Sequence, residues 1–67
     1  MTDTEKLRDV ISRAGLKYCY IAEQMGLSPY GLQKKIDNKT EFKASEIQAL
    51  SMLLQLSEVE RSAIFFA

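Results

Sequence analysis

The stretch that decides the fold runs from residue 21 to residue 36 and reads IAEQMGLSPYGLQKKI. An apolar helical face at its start stops at Gly26, which can take a positive φ at little steric cost. Ser28 then has the character of an N-cap, and Pro29 follows at the first helical position, where its missing N–H costs nothing. The pattern predicts two short helices joined by a sharp turn, a helix-turn-helix spanning Tyr18 to Asp37.

The segments on either side of this unit also have helical spacing. Leu7, Val10, Ile11 and Ala14 fall on one face of an N-terminal helix. Thr2 and Glu5 have the spacing of a capping box at the start of that helix, and Gly15 is a natural stop. After the second helix of the unit, Asn38 is expected to end it in a left-handed conformation.

The C-terminal third predicts two further helices. Phe42 is expected to turn inward over the core. A fourth helix would carry the apolar residues Ile47, Leu50, Leu53 and Leu54, and a last helix Val59, Ala63, Ile64 and Phe66. Ser57 and Glu60 form a capping-box pattern ahead of that last helix. The sequence therefore predicts an all-α fold of five short helices in a single domain, residues 1–67.

The composition argues against catalysis and against bound cofactors. The chain has no His, its one cysteine is Cys19, and its three glycines are widely spaced. Acid–base or nucleophilic chemistry, a metal site and a glycine-rich phosphate loop all lack their usual residues. We expect no enzyme activity, no cofactor and no metal, with Cys19 an inert, partly buried small hydrophobe.

The apolar runs are too short to cross a bilayer, and Met1 is followed by charged residues rather than by an apolar leader. We expect a cytoplasmic protein that binds neither a membrane nor a small-molecule substrate. Its formal net charge is zero, but the charges are unevenly distributed. Four lysines face two acids between Lys34 and Lys43, whereas three glutamates face only Arg61 after Ala44. A basic middle and an acidic tail can serve different partners.

Three runs resemble a known family, the lambda-repressor-like (XRE/Cro-type) helix-turn-helix domains of small phage regulators. They are Gly15–Ser28, Leu32–Phe42 and the closing Ser57–Phe66, which together cover most of the chain. The resemblance implies a transcriptional regulator of the repressor or Cro kind that binds double-stranded DNA. It also implies a homodimer on a two-fold-symmetric operator.

The resemblance carries site residues over by position. The residues expected at base edges are Pro29, Tyr30, Gln33 and Lys34, and those expected near phosphates are Lys17, Tyr18, Ser28, Lys35, Asn38, Lys39 and Thr40. The side-chain chemistry of Gln33 and Lys34 is consistent with base contacts, because Gln can pair with adenine and Lys can donate to the acceptors of guanine. Lysines in the loop after the second helix suit backbone contacts, which position a protein without reading sequence.

Other interpretations of the same residues stay open. Tyr18 can cover a helix edge, and Gln33 and Lys34 can be plain solvent-facing residues. The terminal Ile64, Phe65 and Phe66 can complete the core or form the dimer contact, since consecutive apolar residues cannot all face one core. Finally, a neutral helix-turn-helix domain with an apolar tail can act as a protein-interaction adaptor that modulates a larger regulator without binding DNA.

Overall fold

The computed structural model describes residues 1–66 and contains five helices. They are α1 (Thr4–Ala14), α2 (Tyr18–Met25), α3 (Pro29–Ile36), α4 (Ala44–Leu53) and α5 (Glu58–Phe65). No strand occurs among these 66 residues. The prediction of an all-α chain of five short helices is confirmed.

The helix ends follow from a few residues with left-handed backbone. Gly15 and Gly26 have φ of 72° and 70° and close α1 and α2. Asn38 has φ of 62° just after α3, as predicted, because Asn tolerates this conformation better than most residues. Gln55, at φ 54° in the link between α4 and α5, is a fourth such residue that the sequence did not indicate.

The start of α1 differs from the prediction. The N-cap is Asp3, whose carboxylate accepts the backbone N–H of Lys6 at 3.1 Å, so the predicted Thr2–Glu5 capping box is wrong by one residue. Thr2 is instead buried, with only 8% of its surface exposed. Asp is as good an N-cap as Thr, and the buried contacts of Thr2 fix the register.

The capping box ahead of α5 is confirmed. The Ser57 hydroxyl accepts the Glu60 N–H at 3.1 Å, and the Glu60 carboxylate accepts the Ser57 N–H at 2.9 Å. The bond from the Ser57 N–H to the carboxylate, with a smaller contribution from the Ser57 hydroxyl, favours the charged form and lowers the pKa of Glu60. Ser57 thus fixes the point at which α5 begins.

One apolar core joins all five helices. Its buried members are Leu7, Ile11, Ile21, Ala22, Leu32, Ile36, Leu50, Ile64 and Phe65. Phe42 turns inward as predicted and meets the Phe65 ring edge to face, with centroids 5.4 Å apart. Ala14 and Val59, both predicted on apolar faces, are exposed.

The packing holds α3 from two directions. Helix α1 contacts α3 and α5, while α2 contacts α3 and α4. Leu32 and Ile36 of α3 are fully buried between these neighbours. The remaining face of α3 is left for other contacts.

Two further observations bear on the surface. Cys19 is exposed, which corrects the prediction of a partly buried thiol, because α2 packs through Ile21 and Ala22 and turns Cys19 away. Within residues 1–66, no helix has the length and apolar character needed to cross a membrane.

Candidate nucleic-acid interface

The turn before α3 fixes where that helix begins. The N–H of Leu27 donates to the carbonyl of Ala22 at 2.8 Å, which folds the chain back after Gly26. The Ser28 hydroxyl accepts the Gly31 N–H at 3.0 Å and caps α3. A Cβ added at Gly31 would lie 3.1 Å from that hydroxyl, so a larger residue there would crowd the cap. Ser28, predicted near a phosphate, uses its hydroxyl within the fold.

The exposed edge of α3 carries three of the predicted base-reading residues. Pro29 and Tyr30 are exposed, Tyr30 to 75%. The Lys34 ammonium lies 5.5 Å from the centre of the Tyr30 ring, one helical turn away, at a distance where a cation is attracted to the ring face. We call Pro29, Tyr30 and Lys34 the α3 edge.

Gln33 lies beside this edge and is half-buried. Its Nε2 donates to Asp37 Oδ2 at 3.1 Å. The other oxygen of that carboxylate accepts from Arg8 Nη2 of α1. Arg8 and Asp37 were not predicted as site residues; the only signal in the sequence is the i, i+4 spacing of Gln33 and Asp37.

Lys35 is directed away from the α3 edge. Its ammonium pairs with Glu46 of α4 at 3.0 Å and donates to the Glu41 carbonyl at 2.9 Å, and only 13% of each charged side chain is exposed. Burial alone would raise the pKa of Glu46, but the Lys43 N–H and the Lys35 ammonium outweigh it, and the pKa is lowered. Lys35, predicted near a phosphate, thus joins α3 to α4.

Asn38 is also committed within the fold. Its Nδ2 donates to the Thr2 carbonyl at 2.6 Å, and its Oδ1 accepts the Thr2 N–H at 3.0 Å. The side chain thus satisfies both backbone groups of one buried residue. Asn38, predicted near a phosphate, thus uses its side-chain amide to hold the start of the chain.

The loop after α3 and the start of α2 supply the remaining predicted residues. Lys39 and Thr40 donate their backbone N–H groups to the Lys34 carbonyl at 2.8 and 3.3 Å, which leaves both side chains exposed. Lys17 is the N-cap of α2 and makes no side-chain capping bond, and Tyr18 is 38% exposed. All four side chains are accessible for contacts with another molecule.

The pairing of charges separates two sets of cations. Within the described part of the chain, Lys6, Arg8, Arg13 and Lys35 each have a carboxylate within 4.0 Å. Lys17, Lys34, Lys39, Lys43 and Arg61 have no such partner among residues 1–66. The unpaired lysines thus fall at the start of α2, on α3 and in the loop that follows it.

The C-terminal apolar residues Ile64, Phe65 and Phe66 divide between two roles. Ile64 and Phe65 are 2% and 3% exposed and belong to the core, so they are not available to a second copy. Phe66 is 66% exposed. Of the trio predicted to build a dimer, only Phe66 remains accessible.

No protein-family model, curated protein or solved structure matches the chain.

Proposed function

We propose that this chain is a lambda-repressor-like helix-turn-helix domain that binds double-stranded DNA sequence-specifically, as a transcriptional regulator of the phage type. The observation that carries the proposal is the α3 edge, where Pro29 and Tyr30 are exposed and Lys34 has no carboxylate within 4.0 Å among residues 1–66. Further unpaired lysines lie before and after the helix. Helix α3, held by the Gly26 turn, would enter the major groove by its N-terminal end.

The roles of the side chains follow from their exposure. Lys34 would donate to O6 or N7 of guanine, Tyr30 would contact a thymine methyl group, and Gln33 would read an adjacent base. Pro29 has no donor and would contribute only an apolar contact.

Phosphate contacts would come from Lys17, Tyr18, Lys39 and Thr40. Lysine ammonium groups neutralise phosphates and release counterions, which makes binding strongly salt-dependent. Lys35 and Asn38 are left out because their side-chain polar groups already have partners within the fold. The Ser28 hydroxyl accepts the Gly31 N–H but keeps its own hydrogen, so Ser28 would also donate to a phosphate.

Symmetric operators would be read by two copies. We propose a homodimer in which Phe66 packs against the partner. Phe66→Ala is then expected to halve the mass measured by sedimentation equilibrium while the helical circular dichroism is kept. An unchanged mass would remove Phe66 from the dimer contact.

A second candidate is the protein-interaction adaptor. It is favoured by the zero net charge and by large apolar side chains exposed away from α3, with Met52 at 71% and Val59 at 79%. Exposed apolar side chains of this size are suited to contacts with another protein. This candidate predicts no affinity for duplex DNA.

The deciding experiment is selection from a pool of random duplexes at two salt concentrations, about 50 and 200 mM. The proposal expects a two-fold-symmetric sequence to be enriched, with retention falling steeply at the higher salt. Lys34→Ala should lose this enrichment, whereas Lys6→Ala, which removes the same charge from α1, should keep it. If no duplex is retained at the lower salt, DNA binding is ruled out and the adaptor is favoured.

A further inference from the structure

A chain of hydrogen bonds joins α1 to the residue beside the α3 edge. Arg8 Nη2 donates to Asp37 Oδ1, and Gln33 Nε2 donates to Asp37 Oδ2 at 3.1 Å. The carboxylate thus uses one oxygen for each donor. Asp37 is the C-cap of α3, and its own N–H is bonded to the Gln33 carbonyl at 3.0 Å, so the backbone fixes its position relative to Gln33.

The chemistry of the carboxylate decides which way the Gln33 amide faces. An ionised Asp has acceptors only, so the NH2 end of the glutamine must point to it and the Oε1 end must point away. No donor from the described residues reaches Gln33 Oε1. Gln33 therefore directs its acceptor away from Asp37 and keeps it free of donors among the described residues.

A glutamine without such a tether can rotate its amide and present either end. It then accepts from the amino groups of adenine and cytosine, or donates to the acceptors of guanine and thymine. A tether that fixes the amide removes the second option. A base that presents an acceptor to Gln33 Oε1 would leave both acceptors without a donor in the interface, and this lowers the affinity for that base.

We propose that Asp37 is the specificity-determining positioning residue of α3: held by Arg8, it makes Gln33 an acceptor and so selects adenine or cytosine over guanine or thymine at one operator position. The inference rests on the proposed DNA binding. The second hydrogen of Nε2 stays free, so a two-bond contact with adenine remains compatible with the tether.

The isosteric variant Asp37→Asn tests the proposal because it replaces one acceptor oxygen by a donor NH2 group and keeps the shape of the side chain. Arg8 has donors only, and its charged guanidinium binds oxygen more strongly than Gln33 does, so it should hold the single amide oxygen of the variant. The new NH2 group would then face Gln33 and draw Oε1 inward. Gln33 Nε2 would point outward, and the base preference should move to guanine or thymine.

The experiment selects duplexes with the wild type, Asp37→Asn and the matched control Asp9→Asn. Asp9 pairs with Arg13 within α1, so the control makes the same chemical change in an ion pair outside α3. We expect the wild type and the control to favour adenine or cytosine by about tenfold at one position of each half-site. Asp37→Asn should reverse the preference at that position alone. The same preferred base in wild type and Asp37→Asn would overturn the proposal.

A measurement without DNA separates this inference from the proposed function. In a ¹⁵N-labelled sample, the Gln33 side-chain NH2 signals should exchange with water faster in Asp37→Asn than in the wild type, and stay unchanged in Asp9→Asn. Unaltered Gln33 signals in Asp37→Asn would overturn the orienting role by themselves. Failure of the wild type to retain any duplex would overturn the proposed function, and base selection with it, whatever the NMR result.

Discussion

Helix α3 carries two consecutive lysines, Lys34 and Lys35, which lie on different flanks of the helix and make different contacts. On one flank, Lys34 lies over the Tyr30 ring with no carboxylate within 4.0 Å among residues 1–66. On the other, Lys35 is almost covered and bonds to Glu46 and to the Glu41 carbonyl. The first lysine is available to another molecule, whereas the second joins two helices of the same chain.

The difference comes from helical phase. Successive residues of an α-helix point about 100° apart, so neighbours in sequence face different surroundings. Lys34 falls with Tyr30 on the edge that no other helix covers, while Lys35 meets the start of α4. Of the neighbouring lysines Lys34 and Lys35, only Lys34 therefore has its charge available to another molecule.

The largest expected effect lies on the third, buried side of α3. Leu32 is fully buried, and Leu32→Ala should lower the free energy of unfolding by about 2–5 kcal/mol, enough to unfold much of a small domain. Urea titration followed by circular dichroism measures it. Tyr30→Ala, on the exposed edge, should change stability by less than about 0.5 kcal/mol. Equal losses in the two variants would show that the edge is part of the core.

The next effect compares the two lysines directly. Lys35→Ala leaves Glu46 partly buried without its cation and should lower the free energy of unfolding by about 1–3 kcal/mol. Lys34→Ala should leave stability within about 0.5 kcal/mol of the wild type. The same urea titration tests both. Matching values for Lys34→Ala and Lys35→Ala would remove the distinction between the flanks.

A smaller effect concerns DNA and divides the lysines that have no carboxylate partner among residues 1–66. Lys34→Ala should weaken binding to the selected sequence more than to random duplex, by about tenfold. Lys39→Ala should weaken both about equally and reduce the slope of affinity against salt by about one. Titration of labelled duplexes at several salt concentrations measures these quantities. An equal loss on both duplexes for Lys34→Ala would contradict its base-reading role.

The smallest effect is the pH dependence of the flank that carries Lys35. The pKa of Glu46 is lowered in the folded protein below its usual value of 4.5. At a pH near that value, the Glu46 carboxyl therefore binds fewer protons in the folded protein than in the unfolded chain. The stability it contributes is present above the unfolded pKa and is lost as pH falls through the folded value. Urea midpoints measured from about pH 6 to pH 3 should fall less steeply in Glu46→Gln than in the wild type. A steeper fall in the variant would reverse the sign of this linkage.

Local signals predicted the helix boundaries well. Gly26, Ser28 and Pro29 each restrict the backbone or supply a cap by themselves, and the turn and α3 lie where they indicate. Asn38 behaves as predicted for the same reason. Such residues act over a few positions, so their effect can be recognised without knowing the rest of the fold.

Contacts between distant segments could not be predicted in this way. The pairing of Lys35 with Glu46, of Arg8 with Asp37 and of Asn38 with Thr2 depends on how the helices pack. Two residues expected at phosphates, Lys35 and Asn38, have such contacts within the fold. Exposure of Cys19 also depends on which face of α2 packs, and one short apolar pattern did not settle it.

The hydrogen bond from the Asp3 N–H to the Ile64 carbonyl has a consequence for synthesis on the ribosome. It joins two residues at opposite ends of the described chain, at 2.6 Å. This contact at the start of α1 cannot form until Ile64 has left the exit tunnel, because a long-range contact closes only once both segments are free. While α2 and α3 emerge from the ribosome, the apolar face of α1 has not yet packed against α5. A nascent chain stalled before Ile64 should therefore expose Leu7 and Ile11 to chaperones, and release of α5 should end that exposure.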